Sequence, residues 1–243
     1  MHQGNAWEKE YRNPKLVTKN DGPQADTLRF LKFLKKTPSV LRTSSSSQEG
    51  EKYRLENKVI LDLGCGTGRN ANYLAGEGNM VIGIEISKTA IVLAKERAGE
   101  LGVHVDYRLG DIGEKYDIAD RSVDIVLDVT SSNALNEKGR AVYLSESARV
   151  LKSSGYMFVR ALCKDGNKNV KALLKQSPGP EYDTYMLPEM TLIERVFSRE
   201  DFIKMYSQYF KIISLTKKTG YSTMNGRIYK RDYWLAYMQK TEV

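Results

Sequence analysis

The sequence is poor in the residues that build disulfide frameworks and metal centres. It has two cysteines, Cys65 and Cys163, and two histidines, His2 and His104, in 243 residues. Neither cysteine stands at metal-ligand spacing from a partner, so a disulfide scaffold and a metal site are both disfavoured. No apolar run approaches the roughly 20 residues of a membrane helix, and the polar start Met1-His2-Gln3-Gly4-Asn5 does not read as a signal peptide. The expectation is a cytoplasmic protein with no membrane partner. What is present is charge: 38 Lys and Arg against 30 Asp and Glu, a formal net +8, alongside 41% hydrophobic residues. This composition describes a globular chain long enough for one sizeable α/β domain, with an affinity for anions.

The chain is organised around Val59-Ile60-Leu61-Asp62-Leu63 and the glycine run after it, Gly64-Cys65-Gly66-Thr67-Gly68-Arg69-Asn70. Apolar residues around a single Asp read as a buried parallel strand, and the glycines turn the backbone into a helix starting near Arg69. Strand, turn and helix N-terminus make a nucleotide cradle, because unpaired N–H groups meet a ligand lying on bare backbone. The glycine spacing narrows the ligand. A dinucleotide fingerprint needs G-x-G-x-x-G, and Arg69 stands where its third Gly belongs. No Gly-Lys-Ser/Thr follows for a P-loop, so a ligand without a pyrophosphate fits better.

The string Asp62-x-Gly64-x-Gly66-x-Gly68 resembles the first motif of class I S-adenosylmethionine-dependent methyltransferases. The longer run from Gly64 to Ala75 is most similar to the small-molecule group that includes tellurite-resistance and thiopurine methyltransferases. The resemblance covers roughly Lys58 to Leu162. It implies a Rossmann-like α/β fold with a seven-stranded, mostly parallel sheet, helices on both faces and an antiparallel last strand. It also implies S-adenosyl-L-methionine as cofactor, S-adenosyl-L-homocysteine as product, and no metal.

Taken in order, the chain alternates strands and helices from Lys58 onward. A helix from about Arg69 to Glu77 follows the glycine turn, and Met80–Glu85 is the second strand. Ser87 caps a helix whose inner face carries Ile91, Ala94, Ala98 and Leu101. Val103–Leu109 alternates as a third strand, with Val103, Val105, Tyr107 and Leu109 on one side, which leaves His104 facing solvent. Val123–Asp128 is the fourth strand, and a helix from about Glu137 to Lys152 buries Ala141, Leu144, Ala148 and Leu151. Tyr156–Leu162 is the fifth. Ser198 opens a short helix, and Lys211–Leu215 with Tyr233–Met238 closes the sheet as an antiparallel pair. Residues 1–57 read as cap helices, one of them started by Pro23 and running to Lys36, plus a flexible Ser-rich loop around Ser44–Ser47. Residues 58–243 read as the catalytic domain, with irregular substrate-side segments at 163–197 and 216–232.

Asp62, Glu85, Asp111 and Asp128 stand in or just after successive strands, at the rim where an open parallel sheet binds ligands. Glu85 suits a ribose diol, as a bidentate acceptor. Asp111 suits the exocyclic amine of adenine with Ile112 against the ring, and Asp62 suits ordering the glycine turn and, through water, meeting a positive amino group. Arg69 and the N–H groups of the turn suit a carboxylate. The resemblance extends the cofactor set to Trp7, Tyr11, Asp62, Gly64, Cys65, Gly66, Thr67, Gly68, Arg69, Asn70, Glu85, Ile86, Ser87, Asp111, Ile112, Asp128 and Val129. Trp7 and Tyr11 either staple the N-terminus to the core or, as in the resembling group, form part of a lid.

Methyl transfer from a sulfonium needs alignment and water exclusion more than a specific catalytic group. Asp128, Thr130 and Tyr221 are the candidates for a direct part in it. Acceptor recognition falls to Arg160, Glu194, Arg195, Tyr221, Arg227, Tyr229 and Arg231, the last four in a stretch expected to be a loop closing over an acidic small molecule. Basic residues interleaved with aromatics also suit single-stranded nucleic acid. An RNA or protein methyltransferase is therefore the alternative, and a catalytically inactive binder of the cofactor a third; oligomeric state is open.

Overall fold

In the computed structural model, residues 3–13, 22–37, 55–187, 191–224 and 227–241 are described. The Ser-rich run and His2 lie outside them. Two N-terminal helices, α1 (Gly4–Arg12) and α2 (Ala25–Leu34), precede the alternating part of the chain. There follow β1 (Val59–Leu63), α3 (Arg69–Gly76), β2 (Met80–Glu85), α4 (Lys88–Glu100), β3 (Asp106–Leu109) and β4 (Val123–Val129). A short 3₁₀ turn (Ser132–Ala134), α5 (Glu137–Val150) and β5 (Leu151–Leu162) come next. The chain ends with α6 (Lys168–Gln176), β6 (Thr184–Leu187), β7 (Leu192–Arg195), α7 (Arg199–Tyr206), β8 (Phe210–Met224) and β9 (Arg227–Lys240).

The large sheet has seven strands in the order β3-β2-β1-β4-β5-β9-β8. β1 pairs in parallel with β2 and β4, β4 with β5, and β2 with β3, while β9 runs antiparallel to both β5 and β8. The Rossmann-like expectation is met, including the antiparallel last strand. The order of connection reverses beside β1, so a crevice opens beyond the carboxyl ends of β1 and β4. Both faces of the sheet are covered, one core holding Ile60, Leu127, Phe158 and Leu235 and the other Leu61, Leu63, Val126 and Met157. α2 belongs to the first: Phe30 is fully buried and stacks on Phe158 at 5.2 Å.

Several boundaries differ from the sequence reading for identifiable reasons. α2 starts after Pro23, because the Gln24 side chain caps it by accepting from the N–H groups of Asp26 and Thr27, and it ends at Leu34. Leu101 is the C-cap of α4 and 64% exposed, and Leu109 ends the sheet's edge strand, also exposed. The inner face of α5 carries Tyr143, Leu144, Ser147 and Val150, which turns Ala141 to solvent and hands Leu151 to β5. Residues 163–197 are not irregular. They contain α6, capped by Asn167 on the Val170 N–H at 3.1 Å, and the antiparallel pair β6–β7. Nor is 216–232 a loop: it is the paired upper half of β8 and β9, in register from Thr216 beside Leu235 to Met224 beside Arg227. Among the described residues no helix is long and apolar enough to cross a membrane.

Because Phe30 is fully enclosed in the main core, Phe30→Ala is expected to destabilise the whole fold by about 3–5 kcal/mol. Urea unfolding followed by far-UV circular dichroism measures it; a loss confined to the N-terminal segment would contradict the shared core.

Candidate active site

A cavity of about 930 Å³ lies at the carboxyl ends of β1, β2 and β4. Its floor is the glycine turn. Gly66 has φ +56, and a Cβ there would come within 2.7 Å of the Tyr11 hydroxyl; Gly68, at φ +79, would collide with that of Tyr107. The turn is clamped by Glu85, whose two oxygens accept from the N–H groups of Gly66 at 3.0 Å and Ser87 at 2.9 Å. Burial raises the Glu85 carboxyl above its usual range, against those backbone donors. Burial also pushes the Cys65 thiol well up, which removes it as a nucleophile.

Asp62 lies beneath the turn, fully buried, and its Oδ2 has no hydrogen-bond partner among the described residues. Burial pushes this carboxyl up to about 7; Arg69 opposes the shift, and the charges of Asp128 and Glu85 add to it. A buried polar atom without a partner is costly, so an orphaned carboxylate oxygen on a cavity wall marks a place prepared for a donor. A bare backbone cradle beside it and a guanidinium at Arg69 suit a ligand carrying both an ammonium and a carboxylate. The residues present therefore fit the amino-acid half of S-adenosylmethionine.

α1 borders the cavity and is fastened at its N-terminus and at its middle. The Gln3 amide donates to the carbonyls of Ala134 and Ile193 and accepts from the Ile193 N–H at 2.9 Å. At the middle of the helix the Glu8 carboxylate caps α4, accepting from the Ser87 hydroxyl at 2.7 Å and from the Thr89 hydroxyl and N–H at 2.6 and 3.1 Å. The hydroxyls of Thr89 and Ser87 hold this carboxyl down to about 2. Trp7 and Tyr11, on either side of Glu8 in the helix, line the cavity.

The opposite wall is built by β4, β5, β9 and β7. Thr130, after β4, sits at φ +68, a strained conformation for a β-branched residue. Its hydroxyl accepts from Arg160 at 3.0 Å, and Arg160 stacks over the Tyr233 ring at 3.4 Å and pairs with Asp26 at 3.3 Å. Asp26 also meets Arg29 at 2.7 Å and Lys218. Burial pushes its carboxyl up, but hydrogen bonds from Lys218 and Gln24 and the charges of Lys218 and Arg160 outweigh that and leave it lowered.

The structure brings most of the expected residues together. Trp7, Tyr11, Asp62, Gly64, Cys65, Gly66, Thr67, Arg69, Asn70, Glu85, Ile86, Asp111, Ile112, Val129 and Thr130 line the cavity, as do Arg160, Glu194, Tyr221 and Arg231. Gly68 and Ser87 lie behind the lining as turn and cap.

Asp128 does not line it. It is in register with Leu63, one residue out of step with Asp62, so the pleat turns its side chain to the other face. There it accepts from Tyr143 at 2.8 Å and from the N–H groups of Ser131 and Ser132. Arg195 is turned away by the same alternation along β7 and pairs with Asp183 at 3.8 Å and Asp201 at 4.0 Å. Tyr229 lies outside the lining, and the side chain of Arg227 falls outside the described part. Arg231 lines the cavity but is engaged by Glu194 and by the Tyr185 hydroxyl. Gln3, Gln24, Ser131 and Tyr233 were missed. Only Gln24, beside the Pro23 helix signal, carried any local hint.

A crevice at the reversal of this strand order, with a glycine turn and an acidic rim, defines an α/β protein that binds a nucleoside-type cofactor. A family model described as "Methyltransferase domain" matches residues 60–155. The ubiquinone biosynthesis O-methyltransferase of Alkalilimnicola ehrlichii is 30% identical over 174 residues, 71% of this chain and 68% of that protein. The protein of the same name from Bartonella quintana is 35% identical over 142 residues, 56% of this chain, and the chain spans about half of it, 52%. In fold, the chain is similar to Burkholderia thailandensis 1,6-didemethyltoxoflavin-N1-methyltransferase, solved with bound 1,6-didemethyltoxoflavin and S-adenosylhomocysteine. That likeness has a TM-score of 0.67 at 15% identity, over 98% of this chain and 87% of that one. The chain belongs to the class I S-adenosylmethionine-dependent methyltransferase family.

Glu8 generates a prediction. Its carboxyl sits at about 2 rather than the usual 4.5, so its hold on α4 is complete above pH 4.5 and is lost as pH falls toward 2. Glu8→Gln at neutral pH should likewise speed amide hydrogen exchange across Gly4–Arg12 while leaving β1 and β4 protected. Unchanged exchange in α1 would show that its other contacts suffice.

Proposed function

We propose that this protein transfers a methyl group from S-adenosylmethionine to a small-molecule acceptor carrying an anionic group. The observation that carries the reading is the buried, partnerless Oδ2 of Asp62 facing the glycine cradle. In this reading Asp62 and Arg69 take the amino and carboxylate groups of the methionine part, and Glu85 takes the ribose diol. Asp111 takes the adenine amine, with Ile112 against the ring. Trp7 and Tyr11 on α1 exclude water above them. Residues 1–57 act as a cap on a catalytic domain of 58–243.

The bound sulfonium supplies the methyl group and a leaving group that already bears positive charge. What remains for the chain is to hold the acceptor in line and dry. Arg160, anchored by Asp26 and Thr130 and backed by Tyr233, supports an anion-binding role on the acceptor side. The names of the relatives support an oxygen acceptor. Placement in the cytoplasm is supported by both cysteines being free thiols. Nucleic acid is the less favoured partner, and binding that collapsed with added salt would revive it.

The test is titration calorimetry with S-adenosylhomocysteine and with NAD, then labelled-methyl transfer into metabolite, RNA and protein pools. Heat with the first ligand and label in the metabolite pool are expected; heat with NAD alone would overturn the reading. Asp62 adds a signature. Its carboxyl, at about 7 without ligand, is protonated below that pH, and an ammonium bound against it favours the ionised form. Binding should therefore release a proton near neutrality and weaken as pH falls below 7. Asp62→Asn should bind more weakly and lose that dependence, measured in two buffers of different ionisation heat.

A further inference from the structure

With Asp128 turned to the far face, methyl transfer to a hydroxyl has no proton acceptor at the end of β4. The described residues lining the cavity include no histidine, and their carboxylates are Asp62, Glu85, Asp111, Glu114 and Glu194. The first three stand at the ends of β1, β2 and β3, and Glu114 continues the loop after Asp111, so all four lie on the cofactor side. Glu194 arrives from elsewhere. It lies on β7, which packs against the Ser132–Ala134 turn that follows β4, because the Gln3 amide ties the Ala134 carbonyl to the backbone of Ile193.

On its other side Glu194 meets β9 and β6. Its Oε2 accepts from the Tyr185 hydroxyl at 2.7 Å and from Arg231, and Arg231 also donates to the Tyr185 oxygen at 2.8 Å. Tyr185 is buried, and the carboxylate is fixed on two sides. A carboxylate has a second acceptor oxygen, and both donors are spent on the first. Glu194 and Arg231 both line the cavity, so the triad presents an anchored, ion-paired carboxylate to it.

Resting on the methyltransferase reading, we propose that Glu194 is the catalytic base of this protein, its Oε1 taking the proton of an acceptor hydroxyl as the methyl group moves. The acceptor O–H bond breaks toward Oε1, the acceptor oxygen forms the new O–CH₃ bond, and the electrons of the old C–S bond stay on sulfur. The proton leaves Glu194 to water with the product. Oxygen becomes positive as it attacks a methyl carbon, and a carboxylate in hydrogen-bond reach removes that charge in the transition state. Tyr185 and Arg231 are positioning residues that hold Oε2. The substrate class follows: a small hydroxylated anion, its charge toward Arg160 and its hydroxyl toward Glu194.

The test compares wild type with Glu194→Gln, which keeps a side-chain oxygen for Tyr185 and Arg231. In the complex with S-adenosylhomocysteine, wild type should bind 3,4-dihydroxybenzoate at least about tenfold tighter than benzoate, because a hydrogen bond to a charged group is worth that much. Glu194→Gln should lose most of that preference without changing affinity for S-adenosylhomocysteine. In turnover of 3,4-dihydroxybenzoate, Glu194→Gln should lower kcat by about 10²–10⁴-fold and remove the acidic limb of its pH profile. Glu194→Asp should restore part of the rate, and Tyr185→Phe should lower it while keeping the limb. No preference for the hydroxylated probe in wild type, an equal preference in Glu194→Gln, or undiminished turnover in that variant overturns the base assignment alone. No heat with S-adenosylhomocysteine overturns the methyltransferase reading, and the base with it.

Discussion

Everything at the site depends on the parallel pairing of β1 with β2 and β4. Ile60 to Leu63 run level with Val81 to Ile84 on one side and with Ile125 to Asp128 on the other, so three carboxyl ends finish at one height. Parallel pairing also keeps all three chains running outward there, which lets each strand end in a loop on the same side. The pleat then selects which side chains reach the crevice. Asp62 and Glu85 share one face, while Asp128, level with Leu63, falls on the other.

The glycine turn converts that rim into a binding surface, and its cost is a buried carboxylate. Asp62 is buried with one oxygen unpartnered, and burial raises its carboxyl to about 7. A group kept in that condition is unfavourable for stability and useful for binding, since an incoming cation recovers what desolvation removed. Strain at Thr130 follows the same logic: its αL backbone sets the hydroxyl under Arg160.

The N-terminal helices complete the cavity rather than decorate it. α2 places Asp26 under the guanidinium of Arg160 and the ammonium of Lys218, joining β5 and β8 through one buried carboxylate. A buried charge contributes only while its partners are present, so these cations and Asp26 stand or fall together. α1 buries no apolar residue fully; it is held by polar anchors, the Gln3 amide at its N-terminus and the Glu8 carboxylate at its middle. Such anchors allow a helix to lie tightly over a cavity and still be released without disturbing the sheet.

Local pattern was enough to read the glycine turn, the first, second and fourth strands, the Ser87 and Ser198 caps and the antiparallel last strand; the third strand, expected from Val103, starts only at Asp106. Each depends on residues within one or two turns of chain: glycines that permit positive φ, apolar runs of strand length, hydroxyls one step before a helix. The extent of β8 and β9 was hidden because charged and aromatic residues read as a loop until strand pairing satisfies their backbone. Asp128 and Glu194 show the limit most sharply. Both are carboxylates near strand ends, and nothing local separates them. Which one faces the cavity was decided by a register offset of a single residue and by the packing of β7 on the turn after β4. The sequence by itself determined the cradle, because turn chemistry is local; the acceptor wall was left to tertiary structure, because α2, β5, β7 and β9 meet there from distant parts of the chain.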